Sequence, residues 1–251
     1  MRVSYPELYT HCKKVLEGCG LPIGLAEEGA EMVAWGEFTG MYGIVRLAQD
    51  LNALQVSDPT RISISSQDDR LVSVDGGGQH VLLTGRVAVD LAFAKAFEMG
   101  IGVVQVKNSQ GSDALIQNVR QVGKRGMSCA IHWMEKNSQN WSFITEGNLQ
   151  PCVIKEMLAQ RVEVKQINSF LVICANGNYL PFFTDLTAWN NAKENIHMVQ
   201  PEQLQVRFDE SNGQGREVDA DTWAELGQVA SRVLVEATEL SRQRGAGEGA
   251  N

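Results

Sequence analysis

A helical segment that leads directly into an apolar run constrains the fold of this chain more than any other feature. Residues 86–99 are Ala-rich with apolar side chains at helical spacing, and Gly100 is expected to end the helix. Residues 101–106 (IGVVQV) form the kind of apolar run that is buried in a parallel sheet. A further helix is predicted over residues 113–125 and a strand over 128–131. This alternation of helix and strand predicts an α/β fold.

The start of the chain predicts a helical part over residues 1–56. Ser4, followed three residues later by Glu7, is typical of a capping box at the start of a helix. Helical periodicity also covers residues 25–38 and 44–54. We therefore expect a helical hairpin and one further helix before the first strands.

Strand signals follow this helical part. Residues 61–65 and 71–74 alternate apolar and polar side chains, and the turn at 66–69 joins them. The Gly-rich residues 75–78 (DGGG) are predicted to be a bare turn.

The second half of the chain gives weaker patterns. They predict strands over 170–174 and 179–183 around a hairpin turn at 176–178, an alternating strand over 204–208, and a long final helix capped by Asp219 or Asp221. No linker or repeat interrupts the sequence, so residues 1–251 are predicted to form one domain. Sheet and helices are expected over 57–243 and a flexible tail over 244–251.

Charge and cysteine content exclude several classes of function. The chain has 22 Lys and Arg against 30 Asp and Glu, a net charge of −8, which disfavours binding to nucleic acid or anionic lipid. No apolar run is long enough to cross a membrane, and the first residues do not form a signal peptide, so we expect a cytoplasmic protein. Five Cys and four His show no metal-binding spacing, which favours reduced thiols and no metal.

Two stretches carry a family resemblance, residues 40–47 (GMYGIVRL) and 100–111 (GIGVVQVKNSQG). With the opening helices they resemble the type-2 malate/L-lactate dehydrogenase family, also called sulfolactate dehydrogenase-like, over residues 1–130. The sequences G-L-A-E-E and S-R-x-x-G-A-G resemble a short bacterial branch of the same fold. The resemblance implies a three-layer α/β fold with a mixed sheet, a homodimer, and NAD(P)-dependent reduction of 2-oxo acids.

The resemblance also assigns candidate catalytic residues. In the family, a His of a Ser-His-Gly-x-x-Arg motif donates a proton, and the Arg binds the substrate carboxylate. Arg46 is present in register, but Tyr42 takes the place of this His, and Gly111 takes that of a second family His. A phenol needs a neighbouring cation to be a good acid, and Arg46 lies one helical turn away if the helix starts early enough. Otherwise Tyr42 begins a helix and Arg46 lies on a solvated face.

The segment after the buried strand contains the candidate cofactor-binding residues Asn108, Ser109 and Gly111. Free backbone N–H groups at a helix start can hold a phosphate or carboxylate. Ser112 or Asp113 would equally be a plain N-cap, and an Asp there repels anions. The cofactor stays unknown at this point, with NAD(P)H expected only if the protein is active.

Three functions therefore remain open. The first is a divergent protein of this family without the standard dehydrogenase activity, which binds a small carboxylate ligand or acts as a subunit beside an active paralogue. The second is an NAD(P)H-dependent reductase of a 2-oxo or cyclic imino acid that uses Tyr42 and Arg46. The third is a structural or assembly protein that uses the fold for dimerisation.

Overall fold

The computed structural model describes residues 1–112, 114–159, 168–177 and 195–233. The helices in these residues are α1 (Tyr5–Gly18), α2 (Ile23–Thr39), α3 (Ile44–Gln55), α4 (Val81–Met99), α5 (Leu115–Lys124), α6 (Pro201–Gln214) and α7 (Ala220–Ala230), with 3₁₀ helices at Pro59–Arg61 and Ser231–Val233. The strands are β1 (Arg2–Val3), β2 (Ser63–Gln67), β3 (Leu71–His80), β4 (Ile101–Gln110), β5 (Ser128–Glu135), β6 (Ser138–Ile144), β7 (Cys152–Met157), β8 (Phe170–Ala175), β9 (Ile196–Val199) and β10 (Arg216–Glu217).

Eight of these strands form one mixed sheet in the order β2-β3-β4-β8-β5-β6-β7-β9. Only β3 and β4 run parallel among the described strand pairs of this sheet, and α4 connects them. The predicted strand over 101–106 is confirmed as part of β4, which lies between β3 and β8. Its position explains the apolar run, because Val104 and Val106 are fully buried.

The helices pack in succession against this sheet. Helices α4 and α5 contact its strands, α2 contacts both of them, and α1 packs on α2. The predicted capping box is confirmed, since Ser4 and Glu7 exchange hydrogen bonds at the start of α1. The other early helices also occur where they were predicted, and Gly100 ends α4 in the left-handed conformation.

The prediction of a bare turn over residues 75–78 is wrong. These residues lie inside β3, which pairs with β4 on both sides of an irregularity between Asp75 and Gln79. The glycines permit a close approach of backbones: a Cβ on Gly76 would lie 2.8 Å from the carbonyl oxygen of Asn108. The Gly-rich composition therefore serves strand packing.

The strand predicted over residues 204–208 is also wrong, because this segment belongs to α6. Gln200 and Gln203 form a reciprocal cap, and Pro201 occupies the first turn. Helical spacing places Leu204 and Phe208 on the same side, where Leu204 is buried and Phe208 packs against the core. Residues 204–208 also alternate between apolar and polar side chains, and this alternation led to the prediction of a strand.

The remaining expectations are met in part. Asp219 caps α7 by accepting a hydrogen bond from Thr222 N, whereas Ser112 is not the N-cap of α5, which is Ala114. The strand predicted over 179–183, Asp113 and the tail from 244 lie outside the described residues. In the described part of the chain, no helix is long and apolar enough to cross a membrane.

Candidate functional site

The connection between α2 and α3 carries Tyr42 and is held against α2 by a glycine. Gly40 ends α2 in the left-handed conformation, and Met41 N donates to Gly36 O at 2.7 Å. A Cβ on Gly36 would lie 1.7 Å from the Tyr42 carbonyl oxygen, so only glycine permits this approach. The Tyr42 residue, 4% exposed, is therefore fixed by the path of the backbone.

The hydroxyl of Tyr42 is engaged by a carboxylate. It donates to Asp50 Oδ2 at 3.0 Å, and His80 Nε2 lies 3.2 Å from the same oxygen, off the line of a good hydrogen bond. Burial by itself would raise the pKa of Asp50, but the neighbouring His80 imidazole, with Tyr42 and Arg46, outweighs burial and lowers it. Asp50 is therefore a carboxylate at neutral pH, and the Tyr42 hydrogen is directed to it.

His80 is fixed at the start of α4. Its Nδ1 accepts a hydrogen bond from Leu82 N at 3.2 Å, and the residue is 2% exposed. Because Nδ1 is the acceptor, the neutral imidazole carries its hydrogen on Nε2, the atom that faces Asp50. Neither His80 nor Asp50 was singled out from the sequence. The predicted helix began at residue 86, whereas α4 begins at Val81, so the sequence did not mark His80 as an N-cap, and nothing local marked Asp50.

Arg46 and Tyr42 do come together, but not through a shared helix. α3 begins at Ile44, after Tyr42, so the condition that both lie on one helical face is not met. Both residues instead line a cavity of about 300 Å³. The Arg46 guanidinium also donates to Gln49 Oε1 at 3.2 Å and lines a second cavity of about 510 Å³.

The three candidate cofactor-binding residues differ in their surroundings. The hydroxyl of Ser109 is buried against Thr84 Oγ1 at 2.7 Å, and Asn108 Nδ2 donates to Asp75 Oδ1 at 3.1 Å. Gly111, with φ 74°, lines the 510 Å³ cavity beside Arg46. The Ser109 hydroxyl is therefore buried and already hydrogen-bonded, whereas Asn108 is exposed, and no step is assigned through a nicotinamide cofactor.

The cavity shared by Arg46 and Gly111 also contains charges that the sequence did not reveal. Lys136 and Lys155 line it with Glu135, and Lys155 Nζ lies 2.8 Å from Glu135 Oε2. Burial alone would raise the pKa of Glu135, but Lys155 outweighs it, with Ser138 and Trp133 contributing, and the pKa is lowered. Among the described residues, the lining thus carries three cations against one carboxylate, in a chain of net charge −8.

This cavity suits a small anion better than a metal ion. Within the described ranges, no group of three or more Cys, His, Asp and Glu side chains is arranged to hold a metal. A guanidinium binds a carboxylate with two parallel hydrogen bonds, and two ammonium groups add positive potential nearby. The arrangement can therefore bind a carboxylate without presenting an imidazole at position 42 or 111.

Comparison with known proteins agrees with the observed fold. The malate/L-lactate dehydrogenase family model matches residues 3–148, more than half of the chain, so this chain belongs to that family. The 2,3-diketo-L-gulonate reductase of Haemophilus influenzae is 28% identical over 157 residues, which are 61% of this chain but only 41% of the reductase.

Two solved structures have the same fold at low sequence identity. The malate dehydrogenase of Pyrococcus horikoshii OT3 has a TM-score of 0.70 at 13% identity, covering 94% of this chain and 96% of that one. The sulfolactate dehydrogenase of Methanocaldococcus jannaschii has a TM-score of 0.68 at 15% identity, covering 92% and 97%. The expected sulfolactate dehydrogenase-like α/β fold with a mixed sheet is therefore confirmed.

Proposed function

We propose that this chain binds a small 2-oxo or 2-hydroxy carboxylate in the cavity lined by Arg46 and Gly111, and does not turn over malate or lactate by the family's chemistry. The observation that carries the proposal is the direction of the Tyr42 hydroxyl. Its hydrogen is donated to Asp50 at 3.0 Å, so it is not offered to a ligand. The proposal therefore keeps carboxylate binding by Arg46 and excludes proton donation by Tyr42.

Ligand binding is proposed from the charged side chains that line the cavity. Arg46, Lys136 and Lys155 surround the cavity, and Glu135 is paired with Lys155. A ligand with one or two negative charges would balance the remaining positive charge. The names of the similar proteins refer to malate, sulfolactate and 2,3-diketo-L-gulonate, and they support a small carboxylic acid as the ligand.

The loss of turnover rests on the two positions where the family has histidines. General acid catalysis typically contributes about 10²–10⁴-fold to a rate. Tyr42 is buried against Asp50, and Gly111 has no side chain at all. Replacing Tyr42 alone by His is therefore not expected to produce turnover.

Ligand binding is tested by thermal shift with pyruvate and L-malate on the wild type, Arg46→Ala and Arg61→Ala. Arg61 is exposed on a 3₁₀ helix outside this cavity, so its variant controls for the same loss of charge. A ligand at about 100 times its Kd adds about 2.7 kcal/mol, or roughly 5–11 °C for a chain of this length. We expect this shift in the wild type and in Arg61→Ala, and its loss in Arg46→Ala.

Activity is tested with a panel of 2-oxo acids and cyclic imino acids, NADH and NADPH, on the wild type and Tyr42→Phe. We expect no reduction above background in either. Robust reduction by the wild type that disappears in Tyr42→Phe would establish the reductase with Tyr42 as the acid. This alternative is favoured by the cavity that Tyr42 shares with Arg46. Absence of both binding and reduction would leave the assembly function or the role beside an active paralogue.

A further inference from the structure

The contact between Gly111 and His80 joins the position of the second family histidine to an imidazole from another part of the chain. A Cβ on Gly111 would lie 2.5 Å from His80 Nε2 and 2.9 Å from Cδ2. No real side chain fits this distance, so His80 and a side chain at position 111 exclude each other. The imidazole therefore fills the volume where a histidine side chain at position 111 would begin.

His80 cannot easily move to make room. Its Nδ1 is held by Leu82 N, and the residue is 2% exposed at the start of α4. The other ring nitrogen lies 3.2 Å from Asp50, the carboxylate that accepts the Tyr42 hydroxyl. The buried His80 and Tyr42 and the partly exposed Asp50 thus form one connected group. Tyr42 lines one of the two cavities, and Gly111, which His80 contacts, lines the other.

We propose that His80 is a positioning residue of the candidate site: it takes the place of the side chain that Gly111 lacks, and it holds Asp50, and through Asp50 the Tyr42 hydroxyl, against the cavity wall. This inference rests on the proposed function for its ligand-binding consequence. Its packing consequence is independent of any ligand. The experiments below separate the two.

The packing consequence is tested by placing a Cβ at position 111. Gly111→Ala is compared with Gly126→Ala, because Gly126 has a similar φ of 76° and no atom within 4 Å of its Cβ position. Both variants place an alanine at a similar positive φ, so the difference measures the contact with His80. We expect Gly111→Ala to unfold about 3–10 °C below Gly126→Ala.

The double variant His80→Ala/Gly111→Ala completes this test. Without the imidazole, the cost of the Cβ at position 111 should fall to that of Gly126→Ala. Two results would refute the inference that His80 occupies the volume of a side chain at position 111. One is an equal unfolding temperature for Gly111→Ala and Gly126→Ala. The other is that Gly111→Ala lowers the unfolding temperature just as much in the His80→Ala background.

The site consequence is tested with two conservative variants of His80. In His80→Asn, the amide oxygen replaces Nδ1 as the cap of α4, but the side chain is too short to bring a donor to Asp50. In His80→Gln, the amide nitrogen reaches the place of Nε2, but the cap is lost. If the role of His80 is purely structural, the variant that unfolds at the lower temperature should also bind the ligand more weakly. If His80 positions Asp50, the variant with weaker binding should not be the less stable one.

We expect His80→Asn to keep the unfolding temperature and to bind pyruvate about five-fold more weakly, because it loses the 3.2 Å contact with Asp50, the carboxylate whose charge interacts with Arg46. His80→Gln should unfold at a lower temperature and keep the affinity. Wild-type affinity in His80→Asn would overturn the inference while leaving the proposed function intact. If the wild type binds neither probe, the proposed function fails, and the stability comparison alone decides the role of His80.

Discussion

Substitution of Gly36 tests whether the site is positioned by a close approach of backbone to helix. In the interior of α2, Ala is favoured over Gly by about 0.8–1.0 kcal/mol in helix propensity. A Cβ on Gly36, however, would lie 1.7 Å from the carbonyl oxygen and 2.7 Å from the carbonyl carbon of Tyr42. The Tyr42 segment would have to move by roughly 1.5 Å to restore a normal contact.

This movement has a calculable cost. Overpacking of this kind costs typically about 1–3 kcal/mol, and loss of the hydrogen bond from Met41 N to Gly36 O adds about 1 kcal/mol. After the gain in helix propensity, Gly36→Ala should lower the free energy of unfolding by about 1–3 kcal/mol. The same displacement should weaken pyruvate binding, because the displaced segment leads directly into α3, which carries Arg46 at the proposed ligand cavity.

The matched control lies in the same helix. Gly24 has no atom within 4 Å of its Cβ position, so Gly24→Ala should be neutral or stabilise by up to about 1 kcal/mol. Thermal unfolding followed by circular dichroism should therefore separate the two variants by roughly 3–15 °C. Equal unfolding temperatures would refute the argument that the approach of Tyr42 to α2 requires glycine.

Three further predictions concern stability and assembly. Ser4→Ala removes the capping box of α1 and should lower the free energy of unfolding by about 1 kcal/mol in urea titrations; an unchanged midpoint would contradict it. Burial lowers the pKa of both His11 and His132, so the unfolded chain binds more protons and stability should fall as the pH drops below about 6.5. Replacing both by Gln should flatten this dependence, and an equally steep profile would count against it. Sedimentation at micromolar concentration should give about twice 27.6 kDa, and a monomer would remove the proposed homodimer.

The sequence determined the elements whose signals are local. Ser4 and Glu7 lie three residues apart, Gly100 ends α4 by its own backbone conformation, and the apolar run of 101–106 is contained in one strand. Each signal involves residues within one or two turns, so it acts before the chain is folded. The family motifs singled out Arg46 and Gly111 for different roles, and the structure places both at one cavity.

Only the tertiary structure decided what occupies the positions of the missing histidines. His80 is 31 residues from Gly111 and 30 from Asp50 in the sequence, and no periodicity or cap relates them. Residues 75–78 read locally as a turn, yet pairing with β4 makes them part of a strand. Lys136 reaches the cavity from the turn between β5 and β6, and Lys155 reaches it from β7. Local propensity fixes where helices and strands begin and end, but contacts between distant segments depend on how those elements pack, and the candidate site is built from such contacts.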